Sequence, residues 1–273
     1  MATHGSAFPI AKLALNNSVP PILMASLRMG LVMLLLIPFW KFKIPDKKYL
    51  KSLFLFSFSM GVLVYVFMNL SLKYSTFISP IIIGSQLAVP FAVVLSAIMI
   101  GENISKKKWV FIFLAFFGIT VVFFDPELKN NLIGLLFASL MALFFAIAQV
   151  YSRKLKELSL TLINAYTGLF GFFILIIVSF FIEGEVVANI KNINLESWML
   201  IGYQAIIVSL FAHMSMFYLY KFYTVGQIFP FYSLFPIFGI ILTFLIFREI
   251  PSLLFFIGSF FVISSVILLQ KTK

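Results

Sequence analysis

The sequence has no cysteine and few charged residues. Of its 273 residues, 11% are charged and 62% are hydrophobic, and the mean hydropathy is +1.11. The absence of cysteine excludes disulfides, thiolate metal sites and cysteine nucleophiles. A soluble protein of this size needs far more polar surface to cover its core. The composition therefore predicts an integral membrane protein.

The patterns of soluble enzymes are also missing. The sequence has no phosphate-cradling glycine loop, which argues against direct ATP-driven pumping. Its two histidines, His4 and His213, have no neighbouring Asp/Glu cluster, so we expect neither a metal site nor another cofactor. No Asp or Glu falls at the middle of an apolar segment, which disfavours proton exchange through a carboxylate. No long hydrophilic segment is present, so no soluble domain is predicted.

The apolar residues form long runs separated by charge clusters and turn residues. A membrane-spanning helix needs roughly 20 such residues. The runs lack the ten-residue alternation of an outer-membrane barrel, so we expect helices throughout. Nine spans are predicted, at 19–40, 52–72, 77–100, 108–124, 131–152, 160–182, 197–220, 225–247 and 252–270.

Lys and Arg are concentrated in alternate loops. Fourteen lie at 40–51, 101–108 and 152–159, at Lys221 and at the C-terminal end, whereas five lie in the intervening loops. This asymmetry predicts that the first group faces the cytoplasm, which places the C-terminus there. The same asymmetry explains the net charge of +11 as membrane orientation, so no nucleic-acid partner is expected.

The sequence predicts an internal repeat. The stretch SQLAVPFAVVLSAIMIGEN resembles YSLFPIFGIILTFLIFREI, with Glu102 matching Glu249, and Lys73 matches Lys221 at an offset of 148 residues. The predicted units are 1–125 and 131–273, each of five helices. Because five is odd, the second copy enters the membrane from the opposite side. Such inverted repeats are an architecture of secondary transporters.

The order of these motifs resembles the EamA-type branch of the drug/metabolite transporter superfamily. The first copy carries its elements as HGSAF (His4 to Phe8), Arg28, Pro90 with Glu102, and Gly118, and the second carries Pro236, Glu249 and Gly258. The resemblance covers essentially the whole chain. It implies an all-α bundle of ten helices in two inverted five-helix repeats, with cytoplasmic termini, in a bacterial inner membrane.

Two features depart from that family pattern. His4 stands where the family usually has Trp. The opening MATHGSAFPIAKLALNN is too short to span a bilayer, and the counterpart of residues 131–140 would precede Met1. We therefore expect the first helix to be shortened at its N-terminus, on the cytoplasmic side.

Polar and aromatic residues within the spans are the candidate site residues, because polar groups in lipid usually face a cavity or another helix. Candidate substrate contacts are Phe8, Tyr65, Asn69, Gln86, Gln149, His213 and Tyr232. Contacts between helices are the alternative for the polar members of this group.

Three further roles are open at this point. Arg28 either binds an anionic group of the substrate or is structural, bonding helix-end carbonyls or snorkelling outward. His213 either couples transport to protons or bonds a neighbouring helix as a neutral imidazole. Glu102 and Glu249 are predicted to be structural residues at helix ends.

The function predicted is secondary transport by alternating access, and not enzymatic catalysis. The protein would be an exporter or facilitator of small organic metabolites, with amino acids or related amphipathic solutes as the class implied by the resemblance. Its partners would be the solute and the lipid bilayer, with a homodimer left open. The alternatives are a membrane-embedded lipid-modifying enzyme, which needs clustered His, Asp or Glu, and a non-transporting membrane subunit.

Overall fold

A computed structural model describes residues 2–40, 44–212, 215 and 234–272. The described residues form helices and no strand, which confirms the predicted all-α class. The helices are α1 (Ala2–Gly5), α2 (Ala7–Asn16), α3 (Pro21–Trp40), α4 (Lys47–Ser57), α5 (Val64–Lys73), α6 (Ser79–Ser85), α7 (Ala88–Ile100), α8 (Lys106–Phe123), α9 (Leu132–Ser152), α10 (Leu160–Ile182), α11 (Val186–Asn192), α12 (Leu195–Tyr203), α13 (Phe235–Phe247) and α14 (Leu253–Lys271).

Among the described residues, seven helical stretches are long and apolar enough to cross a membrane. They are Pro21–Trp40, Lys47–Lys73, Ser79–Ile100, Pro126–Leu155, Leu160–Ile182, Leu195–Ala212 and Leu253–Lys271. The helix Phe235–Phe247 is apolar but shorter. The protein is therefore a multi-pass helical membrane protein. Parts of the predicted spans 197–220 and 225–247 lie outside the described residues.

The opening stretch forms two short helices that pack inside the bundle. Phe8, Ala11 and Ala14 of α2 are buried, and α2 contacts α5 and α12. At Gly5 in α1 an ideal Cβ would lie 2.7 Å from the backbone nitrogen of Gly239, so a side chain here would push α1 away from α13. The stretch is thus a helical part of the core.

Close helix pairs organise the bundle. The helix α3 packs along α10, and α8 packs along α14. A Cβ on Gly168 of α10 would lie 2.9 Å from the backbone nitrogen of Met33, and a Cβ on Gly118 of α8 would lie 2.7 Å from the Gly258 carbonyl oxygen. Small residues let helix backbones approach in this way, which is a common packing mode in lipid.

Two stretches contain a π-helical segment that the sequence does not predict. The first π segment, Phe58–Leu63, joins α4 to α5, and the second, Gln204–Ala212, continues α12. The second covers the positions 148 residues after the first, which is the offset between Lys73 and Lys221. Single π-helical turns are frequently found at functional sites.

The stretch Ser79–Ile100 is interrupted between α6 and α7. Pro90 has no backbone N–H to donate to Gln86, four residues earlier, and its ring crowds that carbonyl. The backbone continues through the interruption with hydrogen bonds between residues three apart. The nitrogen of Gln86 donates to the carbonyl oxygen of Ile83 (3.0 Å), and that of Leu87 donates to the carbonyl oxygen of Gly84 (3.2 Å). The proline thus places Gln86 at a helix break.

Candidate functional site

A buried arginine joins three elements of the bundle. Arg28 of α3 is 5% exposed. Its Nε donates a hydrogen bond to Oγ of Ser209 in the second π segment (3.0 Å), and its Cζ lies 4.4 Å from the ring centroid of Tyr65 in α5. This cation–π contact places the guanidinium against the face of the tyrosine ring. These three residues are called the arginine cluster below.

The charge of Arg28 has no carboxylate partner. All nine Asp and Glu residues of the sequence lie among the described residues. Among the described residues, the ion pairs are Lys48 with Glu157, at 3.7 Å, and Arg153 with Glu102. Both pairs are exposed. A guanidinium inside a membrane bundle is costly unless an opposite charge or dipoles compensate it. The site is therefore suited to an anion.

Gln204 begins the second π segment and is 2% exposed. Its Nε2 donates to the carbonyl oxygen of Ala7 (2.6 Å), which fixes the orientation of the amide. In the described structure the Oε1 atom is buried without a hydrogen-bond partner. One residue earlier, the Tyr203 hydroxyl bonds Oγ of Ser6 at 2.9 Å. The start of α2 thus contacts the end of α12 and the second π segment through polar groups.

The predicted substrate contacts that the structure describes lie on several elements. Tyr65 belongs to the arginine cluster, and Phe8 is buried in α2. Asn69 donates through Nδ2 to the carbonyl oxygen of Pro21 (2.8 Å), which links α5 to α3. Gln86 is buried at the helix break, with Nε2 3.4 Å from Oγ of Ser85. Gln149 lies on an exposed part of α9.

His213 and Tyr232 lie outside the described residues, and so do Lys221 and the rest of 216–233. The proposed coupling role of His213 and the substrate contact of Tyr232 therefore stay predictions. His4, the other histidine, is buried in α1. No group of three or more potential metal ligands is found among the described residues.

Carboxylates bind the N-terminal backbone of neighbouring helices. Glu249 accepts hydrogen bonds from the nitrogens of Ile78 (2.7 Å) and Ser79 (2.8 Å) at the start of α6. Glu183, at the end of α10, accepts from those of Ile22 (2.7 Å) and Leu23 (2.8 Å) in α3. Free N–H groups and the helix dipole favour a negative charge at these ends.

Glu102 makes a different contact from Glu249, with which it was aligned. It pairs with Arg153 in the link after α9, and both side chains are exposed. A second contact at this link joins α4 to Glu157, whose carboxylate accepts from the Tyr49 hydroxyl. That hydrogen bond, followed by the charge of Lys48, holds the pKa of Glu157 below its ordinary value.

Lys12 of α2 binds the C-terminal end of a neighbouring helix, where the partial charge is negative. Its Nζ donates to the carbonyl oxygens of Leu72 and Ser75, both at 2.7 Å, where α5 ends. The last carbonyls of a helix have no partner within the helix and carry partial negative charge. The lysine charge is thus held by backbone dipoles, in contrast to that of Arg28.

An open cleft of about 600 Å³ lies between α7, α8 and α9. It is lined mainly by Leu87, Phe91, Phe116, Ile119, Phe123 and Leu132, with Asp125 and Lys129 at one end. None of the predicted site residues that the structure describes lines it. The cleft and the arginine cluster are therefore separate features.

Sequence reasoning missed Ser209 and Glu183. Serine is common in apolar helices, so nothing marked Ser209 except its position 148 residues after Gly61. Glu183 was visible as an acid directly after a predicted span, and Glu249 follows its own span by two residues. The same reasoning, applied to both acids, would have assigned Glu183 a helix-end role.

The comparisons with known proteins agree with this architecture. The model of the EamA-like transporter family matches residues 1–124 and 132–270. Sixteen chains of solved structures are similar, among them a crystal structure with a TM-score of 0.56 and 14% identity, covering 99% of this chain and 98% of the other. That likeness shows the fold alone. No curated protein matches the sequence. Since the family model covers nearly all of the sequence, the chain belongs to the EamA-like transporter family.

Proposed function

We propose that the protein is a secondary transporter that moves small organic solutes across a bacterial inner membrane by alternating access. The observation that carries this proposal is the arginine cluster, in which a cation, a hydroxyl and an aromatic ring from three helical stretches meet inside an apolar bundle. Polar groups that are costly in lipid usually serve a pathway or a partner. Amino acids and related amphipathic solutes are the class we propose for transport.

The proposed mechanism rests on two inverted five-helix repeats, 1–125 and 131–273. It is supported by the two ranges of the family match and by the two π segments separated by the repeat offset. It is also supported by the pairing of α3 with α10 and of α8 with α14, which would be equivalent helices of the two repeats. In transporters of this kind the solute site lies between the repeats, near the bilayer midplane.

Transport is tested by flux into proteoliposomes. The purified chain would be reconstituted and offered radiolabelled amino acids, organic acids and amines, with and without a pH gradient. We expect saturable flux of at least one solute above that of protein-free liposomes. Dependence on the gradient would indicate proton coupling, and independence would indicate facilitated diffusion. Absence of saturable flux for every solute, from protein shown to be folded, would overturn the proposal.

A further inference from the structure

The geometry of Arg28 indicates which chemical group the bundle binds, an inference that rests on the proposed function. A guanidinium has five N–H groups, all donors. Within the described part of the chain, only the Nε–H of Arg28 has a hydrogen-bond partner, Ser209. The guanidinium lies over the Tyr65 ring, with Cζ 4.4 Å from the ring centroid. Within the described residues, the N–H groups of the two Nη atoms therefore remain available as donors. The planar edge that they form matches a carboxylate through two parallel hydrogen bonds.

The surrounding protein does not neutralise this charge. Each carboxylate with a hydrogen bond or ion pair described above binds elsewhere, and none pairs with Arg28. The contrast with Lys12 is informative, because the Nζ of that partly buried lysine is held by two helix-end carbonyls. A buried cation held only by a hydroxyl and a ring has an incomplete set of partners.

The architecture itself does not require the arginine. Gly61 of the first π segment precedes Ser209 by 148 residues, and it packs directly on α10, where an ideal Cβ would lie 2.7 Å from the Thr167 carbonyl oxygen. The polar side-chain contact described across this junction is a hydroxyl pair, Ser57 with Thr167, at 3.2 Å. The corresponding place is thus closed by small residues without any charge. Arg28 is an addition at one of two similar junctions.

A second polar group lies on the same π segment. Gln204 precedes Ser209 by five residues, the spacing of one π-helical hydrogen bond. Its Oε1 is buried and, in the described structure, has no partner. A buried amide oxygen without a partner can accept a hydrogen bond from an N–H or O–H group.

We propose that Arg28, oriented by Ser209 and Tyr65, binds the carboxylate of the transported solute, while Gln204 accepts a hydrogen bond from a donor on the same solute. The substrate class is therefore small organic monocarboxylates that carry an ammonium or hydroxyl group. The binding is non-covalent and involves no proton transfer.

Matched acids and amides test the proposal. The full chain in lipid nanodiscs would be assayed by equilibrium dialysis with L-phenylalanine against L-phenylalaninamide, and 3-phenyllactate against its amide, at constant ionic strength. We expect each acid to bind at least about tenfold more tightly than its amide, the difference between a charge-assisted and a neutral hydrogen-bonded contact. Arg28→Gln should abolish that preference, and Arg28→Lys should keep part of it.

Control variants separate binding from folding. Arg153→Gln removes an exposed arginine far from the cluster in sequence and should bind like the wild type. If Arg28→Gln does not fold, Ser209→Ala retains the arginine but removes its acceptor, and should reduce the preference for the acid by a few-fold.

Two outcomes overturn the inference. One is a wild-type protein without preference for the acids, including one that binds neither acid nor amide. The other is a preference that survives in Arg28→Gln. If flux of uncharged solutes persists in either case, transport stands and only the carboxylate site is wrong. Loss of all flux would instead overturn the proposed function.

Discussion

Charges at buried or partly buried positions are held in three different ways in this bundle. Glu183 and Glu249 bind free backbone N–H groups at helix N-termini, whereas Lys12 binds carbonyls at a helix C-terminus. Arg28 faces a hydroxyl and a tyrosine ring. In the first two arrangements the helix end carries a partial charge of the opposite sign and stabilises the side chain. Removing that side-chain charge therefore lowers the stability of the protein. In the third, the charge itself opposes folding.

Glu183→Ala should lower the stability of the folded protein. Its carboxylate accepts hydrogen bonds from Ile22, Leu23 and Ser179, and its loss leaves these donors without partners. We expect a loss of about 1–3 kcal/mol for each donor left without a charged partner, not strictly additive. Thermal unfolding in detergent measures the effect. The exposed Glu196→Ala is the control, and an equal effect of the two variants would contradict the role given to Glu183.

Arg28→Met should leave the stability of the solute-free protein unchanged or raise it. Methionine fills part of the same volume without a charge, and replacing a buried ion by an apolar group is often neutral or stabilising. The unfolding midpoint would be measured in chloride buffer without carboxylates. A decrease as large as that of Glu183→Ala would show that Arg28 is a structural residue.

At the scale of the helices, direct backbone contact at glycine residues determines how closely two helices pack. The Gly118–Gly258 crossing leaves no room for a methyl group on either side, since the ideal Cβ of each lies 2.7 and 2.6 Å from the other's carbonyl oxygen. Attraction between such helices in lipid comes from van der Waals packing and not from exclusion of water. Any separation of the two backbones therefore loses contacts along the whole pair.

Gly118→Ala should destabilise the pair α8 and α14. The added methyl group forces a shift of the facing backbone, and overpacking of this kind costs about 1–3 kcal/mol. Gly202→Ala is a matched control, because nothing lies within 4 Å of an added Cβ in α12. There the higher helix propensity of alanine should stabilise by up to about 1 kcal/mol. Unfolding midpoints of both variants in the same detergent test this, and similar values would contradict it.

For the whole molecule, the apolar spans were predictable and their internal irregularities were not. The predicted span 160–182 coincides with Leu160–Ile182, because Ser159 caps its start and Glu183 follows its end. The π segments left no signal, since nearly every residue around them is apolar and no period distinguishes their turns. Arg28 was visible as a charge within a span, but its partners Ser209 and Tyr65 depend on which helices meet.

The proposed orientation can be tested with single cysteines, because the protein has none of its own. Lys129 and Lys191 lie at exposed positions proposed to face outward, and Lys107 and Lys154 at exposed positions proposed to face the cytoplasm, so each would be replaced singly by cysteine. We expect a membrane-impermeant maleimide to label the first pair in intact spheroplasts and the second pair only after permeabilisation. The reverse pattern would invert the orientation.

Three side chains from other parts of the sequence form hydrogen bonds with the backbone of the link between α5 and α6. Lys12 holds the carbonyls of Leu72 and Ser75, while Asn131 accepts from the nitrogens of Thr76 and Phe77. Glu249 accepts from the two nitrogens that follow. Residues distant in the sequence thus converge on one short turn. In the proposed alternating access we expect this turn to act as a pivot: the helix ends near the turn would stay in place, and the opposite ends would move furthest.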